Sequence, residues 1–320
     1  MGINNSLSRE ISYTEQKSSY DAACKKLLSN KVILAHIMKG CIAEYKDCAI
    51  EDIIEKYIIG EPDIAGVPVH MDEHISAYSV EDTSIDEGVV TYDIRFTALL
   101  PDSMNRVKLI INIEAQNDFY PGYPIIKRGI YYCCRLISSQ YNTEFIEAHY
   151  EKIKKVYSIW ICNNPPKNRQ NSLNKYHIIE DNVVGNVLEK VENYDLLTAI
   201  VLCLGSKSNE GEGILHLLEV LLSSERKADE KKQILEEEFL IPMTSELEGG
   251  ISNMCNLSDG VEAIGIEKGL AQGREQGLEQ GKLHVIQKLI EAGSMTFDQI
   301  MDSLEISEEE REEYRRKLAE

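Results

Sequence analysis

Hydrophobic residues recur at helical spacing near the start of the chain and alternate with polar residues farther along. Over residues 20–59 they recur every three or four positions, which predicts helices ending near residues 60–62. Residues 92–100 (YDIRFTALL) and 107–116 (VKLIINIEAQ) instead alternate in polarity, which predicts two half-buried strands. The polar segment PDSMNR between them suits a hairpin loop.

The predicted hairpin brings two carboxylates together. A turn centred on residues 103–104 places Ile94 opposite Ile113 and Asp93 opposite Glu114. Like charges directly opposite one another destabilise a strand pair unless something compensates them. A bound divalent cation would do so, and the hairpin therefore indicates a candidate metal position on its polar face.

The rest of the first two thirds of the chain predicts an α/β fold. The pattern gives a helix at 125–141, a helix near 143–152, a buried strand at 156–162, a strand at 175–179, and an apolar run followed by a helix within 195–222. The order helix, hairpin, helix, strand indicates a core with a mixed sheet. We assign residues 1–225 to this domain.

The C-terminal part has a different composition. Residues 226–264 are predicted to be a helical connector, and glycine then occupies every fourth position from 265 to 281. Five helical glycines cost about 4–5 kcal/mol relative to alanine, so this segment is either a helix that self-associates along its glycines or a linker. Residues 282–320 are predicted to be a small helical module, with Thr296 as a helix cap and Ser307 with Glu310 as a capping box. Its acidic start favours protein contact over DNA reading.

Charge is distributed unevenly. The formal net charge is -20, but the first 180 residues carry 20 Lys+Arg and 24 Asp+Glu, whereas the remainder carries 14 and 30. Residues 152–175 contain no acid, and Lys152, Lys154 and Lys155 there are candidate DNA contacts, with a solvated surface as the alternative. The eight cysteines lack C-x-x-C spacing, and no long apolar run is present. We therefore expect reduced thiols in a cytoplasmic protein with no membrane association.

The chemistry expected of the hairpin follows from its polar face. Asp93 and Glu114 offer the carboxylate oxygens that Mg²⁺ takes together with water and substrate phosphate. Such a metal polarises a phosphodiester and generates hydroxide from bound water. Gln116, two residues after Glu114, would project from the same face and orient the attacking water.

A set of motifs extends this interpretation. The stretch from GEPDIAGVPV through TYDIRFTALLP, INIEAQ, YPIIKRGIYYCCRLISSQ and IKKVYSIWICNNPP resembles the PD-(D/E)XK nuclease family transposases, which are related to the recombination-promoting (Rpn-like) nucleases. The resemblance covers about residues 20–220. It implies a restriction-endonuclease-like core, a mixed sheet flanked by helices, with a helical C-terminal tail. It also implies a DNA endonuclease that uses Mg²⁺, with Mn²⁺ as an alternative.

The resemblance also implies roles for particular residues. By position, Asp93 and Glu114 would bind the metal, and Gln116 stands where related nucleases often have lysine. Arg128, Tyr132 and Gln140 on the following helix would face the site or the DNA, or else pack the helix. Glu44 is the candidate for a further acid from the N-terminal helices. The Pro-Asp pair at 62–63 is not expected to take part, because it lies far upstream of the hairpin.

A second interpretation remains open. Glutamine at position 116 and the acidic tail fit a weakly active or inactive nuclease fold that acts as an interaction protein and forms homo-oligomers through its glycine-repeat region. A nucleotide-binding enzyme is not supported, because the chain lacks both G-x-x-x-x-G-K-[ST] and a G-x-G-x-x-G following a strand.

Overall fold

The computed structural model describes residues 18–64, 81–84, 88–91, 93–101, 106–114, 122–293 and 295–319. Within this part, the chain is a mixed α/β protein in which a small sheet packs against helices, followed by a helical C-terminal region. No described helix is both long enough and apolar enough to cross a membrane. All eight cysteines are free thiols.

The helices before the sheet arise where the sequence places apolar residues at helical spacing. α1 covers residues 18–28 and α2 covers Lys31–Cys41. Asn30 caps α2 by accepting a hydrogen bond from the Val32 N–H (3.0 Å). α3 is a single turn, Ile50–Asp52, and continues as a π-helical turn through Ile53–Tyr57. The helical prediction for this region is confirmed.

The main sheet has the strand order β1-β4-β5-β6-β8-β7. Its strands are β1 (Ile58–Ile64), β4 (Ile94–Leu99), β5 (Arg106–Glu114), β6 (Val156–Cys162), β7 (Ser172–His177) and β8 (Leu197–Cys203). The pairs β1–β4, β4–β5 and β7–β8 are antiparallel, whereas β5–β6 and β6–β8 are parallel. A separate hairpin joins β2 (Glu81–Ser84) to β3 (Gly88–Thr91). The predicted mixed sheet is confirmed.

Parallel neighbours require a crossover, and α4 (Ile125–Ser138) supplies it between β5 and β6. α4 packs on β6 and β8, where Trp160, Cys162 and Cys203 are buried beneath it. The opposite face of the sheet, which includes Ile94 and Phe96, lies in the main core with α1, α2 and α6 (Gly213–Leu222). Strand alternation thus separates two cores, as the period of two requires.

The hairpin register differs from the predicted one by two residues. Ile94 pairs with Ile111 and Phe96 with Leu109, so continuing the register places Asp93 across from Asn112 and not from Glu114. A shift of two leaves every side chain on its original face, so alternation could not distinguish the two registers. The prediction of direct Asp93–Glu114 pairing was wrong, although both positions remain at the same end of the hairpin.

Another segment was predicted incorrectly. Residues 143–152 form turns, with one 3-10 turn at Tyr150–Lys152, instead of a helix. Asn142 and Glu147 have positive φ angles of 64° and 54°, which a right-handed helix does not accommodate. α4 consequently ends at Ser138, three residues earlier than expected.

The helices that follow β8 divide between two compact units. α5 (Val191–Tyr194) precedes β8, and α6, α7 (Ala228–Glu237) and α8 (Ser245–Glu291) follow it. The first compact unit extends to Asp259, because Leu247, Ile251 and Met254 of α8 are buried in the main core. The segment predicted as a helical connector, 226–264, comprises α7 and the start of α8, and most of it lies in the first unit.

The second unit comprises Gly260–Glu320. Its helices after α8 are α9 (Phe297–Ser303) and α10 (Glu308–Ala319). Its small core consists of Ile286, Ile300, Met301 and Ile306. The predicted cap at Thr296 is confirmed as a capping box with Gln299. The glycine repeat is helical within α8, and a Cβ added at Gly269, Gly273, Gly277 or Gly281 would meet nothing within 4 Å.

Candidate active site

The acid-bearing ends of the hairpin meet at one end of the sheet. Asp93 immediately precedes β4, and Glu114 is the last residue of β5. Because the strands are antiparallel, the start of one adjoins the end of the other. Diagonal neighbours in such a pair lie about 7–8 Å apart. The Glu114 side chain and all of Gln116 lie outside the described residues.

Lys25 of α1 holds the Asp93 carboxylate. Its Nζ lies 2.8 Å from Asp93 Oδ1 and 2.7 Å from Asp21 Oδ2. Burial lowers the pKa of Lys25, but the hydrogen bonds to the two carboxylates outweigh it and leave the pKa above its ordinary value. The ammonium is therefore charged beside Asp93. Nothing in the sequence pattern pointed to Lys25, since it is one of several lysines on amphipathic helices.

Asp63 lies on β1, the strand next to β4. β1 pairs with β4 so that Asp63 faces Arg95, two residues after Asp93. Burial raises the pKa of Asp63, and the positive charge of Arg95 partly offsets this. The expectation that Asp63 takes no part in the site stays a prediction, although β1 is the strand next to β4 in space.

Arg128 and Tyr132 lie over the same sheet face on α4. Arg128 Nη2 donates to the Tyr132 hydroxyl (2.8 Å), and the guanidinium lies 5.3 Å from the Trp160 ring. Trp160 pairs with Asn112, two residues before Glu114. Tyr132 is buried and packs against Trp160, so it supports Arg128 and is not itself a surface contact. Arg128 thus stands beside the carboxylate-bearing end of β5.

Gln140 has a structural role and not a substrate-binding one. Its side chain is fully buried, Nε2 donates to the Lys154 carbonyl (2.9 Å), and Oε1 accepts from the Lys154 N–H (2.7 Å). These bonds join the C-terminal end of α4 to the segment that leads into β6. The prediction that Gln140 faces DNA is corrected, since both ends of its amide are occupied in the interior.

Glu44 lies at the opposite end of the sheet from Asp93. It accepts a hydrogen bond from the Tyr157 hydroxyl (2.7 Å) near the start of β6, and Tyr45 beside it donates to the Leu99 carbonyl at the end of β4 (2.8 Å). Six residues of strand separate Leu99 from Asp93, or about 20 Å. The structure therefore does not bring Glu44 into the candidate metal site.

The lysines proposed as DNA contacts share that distant end. Lys154 lies 3.7 Å from Glu144, and Lys155 lies 2.6 Å from Asp195. These residues and the exposed Lys152 line a cavity of about 570 Å³ together with Glu44. The strip carries no acid in sequence, but the fold supplies acids from other segments, and Lys154 and Lys155 are partly buried in ion pairs with them.

The carboxyl end of β5 could hold a hard divalent cation. Asp93 is a partly exposed carboxylate, Glu114 ends the adjacent strand, and such oxygens are what Mg²⁺ takes. Among the described side chains, which do not include that of Glu114, no group of three His, Cys, Asp or Glu is placed to hold a metal. No model of a known protein family, no curated protein and no solved structure matches this chain.

Proposed function

We propose that this chain is a metal-dependent DNA endonuclease that uses Mg²⁺, or Mn²⁺, and acts in recombination. The observation that carries the proposal is the convergence of Asp93 and Glu114 at one end of a hairpin that α4 directly follows. This is the D…(E)x(Q/K) hairpin-and-helix pattern of the PD-(D/E)XK nucleases that the motifs resemble. The mixed sheet with flanking helices is compatible with that finer fold assignment.

The proposed roles follow from the positions of the side chains. Asp93 and Glu114 would hold the cation, which when bound would polarise the scissile phosphate and lower the pKa of a coordinated water. Lys25 orients Asp93 through its 2.8 Å contact and places a positive charge beside the reacting phosphate. Arg128 adds a second positive charge from α4, and the Gln116 amide would orient the attacking water.

Lys25 would supply the positive charge that the site lacks because Gln116 stands in place of a lysine. Gln116 replaces a lysine with a neutral side chain, which cannot stabilise charge that develops in the transition state. The ammonium of Lys25 reaches the same end of the hairpin from α1. The raised pKa of Lys25 keeps its ammonium protonated at neutral pH. The positive charge is therefore present when the substrate phosphate binds.

Plasmid cleavage tests the proposal. Purified full-length protein is incubated with supercoiled DNA in Mg²⁺, in Mn²⁺ and in EDTA, and nicked and linear products are measured. Asp93→Asn and Glu114→Gln each remove one carboxylate charge with little change in shape. Glu44→Gln is the matched control, because it makes the same change at the opposite end of the sheet.

We expect cleavage in Mg²⁺ or Mn²⁺ but none in EDTA, loss of cleavage in Asp93→Asn and Glu114→Gln, and retention in Glu44→Gln. Thermal unfolding confirms that each variant is folded. Cleavage that persists in EDTA, or that survives both hairpin substitutions, refutes the site. Loss in Glu44→Gln but not in Asp93→Asn would move the site to the other end of the sheet.

A second function, self-association, is supported by one face of α8. Residues four apart on a helix lie about 40° from one another, so the exposed Ile266 and Leu270 share a face with Gly269, Gly273 and Gly277. Each glycine costs about 1 kcal/mol in a helix, which close packing against a second copy would offset.

Light scattering should show that Leu270→Glu lowers the oligomeric state while Gln272→Glu, on another face, does not. An unchanged state in Leu270→Glu would reject this interface.

A further inference from the structure

The loop between β6 and β7 has an unusual composition for so acidic a chain. Residues 163–171 read NNPPKNRQN, with five carboxamide side chains, two basic side chains and no acid. We call this segment the 163–171 loop. Lys167, Asn168 and Arg169, which form its single 3-10 turn, are all exposed.

The topology places this loop at the edge of the sheet that carries Glu114. It begins after Cys162, which pairs with Glu114 of β5, and ends at Ser172, which pairs with Cys203 of β8. β5, β6 and β8 are parallel, so their carboxyl ends share one edge of the sheet. The 163–171 loop therefore runs along the same edge as the candidate metal site.

The loop is held in a defined conformation. Asn171 Nδ2 donates to the Asn209 carbonyl (2.9 Å), Asn209 Nδ2 donates to Gln170 Oε1 (3.1 Å), and the Ser172 hydroxyl donates to the Arg169 carbonyl (2.7 Å). Gly205 permits this packing, because a Cβ there would lie 2.3 Å from Asn171 Oδ1. A loop fixed in this way loses little conformational entropy when it binds a ligand.

Basic groups other than those of the loop also lie at this edge of the sheet, which carries Asp93 and Glu114 as well. Lys127 and Arg128, in the first turns of α4, lie at the same edge of the sheet, where the N-terminal end of the helix also carries partial positive charge. Glu210, on the adjoining loop after β8, accepts a charge-assisted hydrogen bond from Arg226 (2.5 Å). At the other end of the sheet, Lys154 and Lys155 are paired with acids, which are Glu44, Glu144 and Asp195.

We propose that the 163–171 loop binds the backbone of double-stranded DNA and positions it over the candidate metal site. Lys167 and Arg169 contact phosphates, and the exposed carboxamides donate to phosphate and sugar oxygens, which is where most protein–DNA hydrogen bonds go. This inference rests on the proposed nuclease function. It assigns DNA binding to the carboxyl edge of the sheet and removes it from Lys152, Lys154 and Lys155.

Fluorescence anisotropy with a labelled 30-base-pair duplex tests the assignment. EDTA in the buffer prevents cleavage, so that binding alone is measured, and salt is varied from 50 to 200 mM. The full-length variant Lys167→Ala/Arg169→Ala removes two positive charges from the loop. Lys152→Ala/Lys190→Ala is the matched control, because both of its lysines are exposed at the opposite end of the sheet.

We expect the loop variant to bind about tenfold more weakly and its salt slope to fall by about 1.8, or about 0.9 for each phosphate contact. The control should keep the wild-type affinity and slope. Wild-type affinity in the loop variant, or an equal loss in the control, overturns the assignment. Weak binding by the loop variant alone supports it, and Lys167→Glu should then weaken binding further.

Cleavage assays separate failure of this assignment from failure of the nuclease proposal. Metal-dependent cleavage with unchanged binding in the loop variant refutes the loop and leaves the nuclease intact. DNA binding that depends on the loop, without cleavage in any metal, retains the loop and refutes the nuclease. A wild-type protein that does not bind the duplex overturns the loop assignment.

Discussion

The contact between Lys25 and Asp93 is the structural feature on which the candidate site depends most directly. The two side chains are 15% and 20% exposed, and Nζ and Oδ1 are 2.8 Å apart. Lys25→Met keeps the length of the aliphatic chain and removes the charge, whereas Asp93→Asn keeps the shape of the acid. Because each residue has other partners, the double variant is required to isolate the energy of this pair.

The magnitude follows from the burial of the pair. Opposite charges about 4 Å apart gain about 1 kcal/mol in water and about 4 kcal/mol at an effective dielectric constant near 20. Partial desolvation of both groups opposes that gain, whereas fully exposed pairs contribute at most about 1 kcal/mol. We therefore expect a coupling free energy of about 1–3 kcal/mol between the two substitutions.

Urea unfolding of the wild type, both single variants and the double variant measures this coupling. EDTA is included so that no cation competes for Asp93. The pKa of Lys25 is raised in the folded state, so its contribution is fully present below about pH 10 and declines as the pH rises through the folded value. A coupling below about 0.3 kcal/mol at neutral pH, within the error of additivity, would refute the contact as an energetic one.

Two further predictions concern buried groups. Gln140→Leu should lower the free energy of unfolding by about 2–5 kcal/mol in a urea titration, because it leaves the Lys154 N–H and carbonyl without partners. The affinity for DNA should not change in this variant. A change in that affinity would restore Gln140 as a DNA contact. A hydrogen bond with Cys162 lowers the pKa of Cys203 to about 7 in the folded state, whereas the pKa of the unfolded thiol is near 9. The ionised thiol therefore stabilises the fold fully above pH 9, and this stabilisation is lost as the pH falls through 7. Comparison with Cys203→Ala should show wild-type stability gaining relative to the variant from pH 7 to 9, and parallel pH curves would contradict the pKa shift.

The sequence determined most of the helices and strands, because periodicity is a local property, but it wrongly predicted a helix at 143–152. Alternation in YDIRFTALL placed Ile94, Phe96 and Ala98 on the buried face, and the continuous apolar run of β6 marked a strand buried on both faces. Asp93 and the Glu114 backbone position lie together at one end of the hairpin, as predicted.

The tertiary structure alone decided which distant residues meet. A two-residue shift of register preserves alternation, so only the loop and the surrounding packing could fix the pairing of β4 with β5. β1 pairs with β4, which places Asp63 opposite Arg95, and α1 brings Lys25 Nζ to 2.8 Å from Asp93 Oδ1. Glu44 was placed wrongly for the same reason. Contacts between remote segments depend on how the elements pack, and local periodicity does not determine that packing.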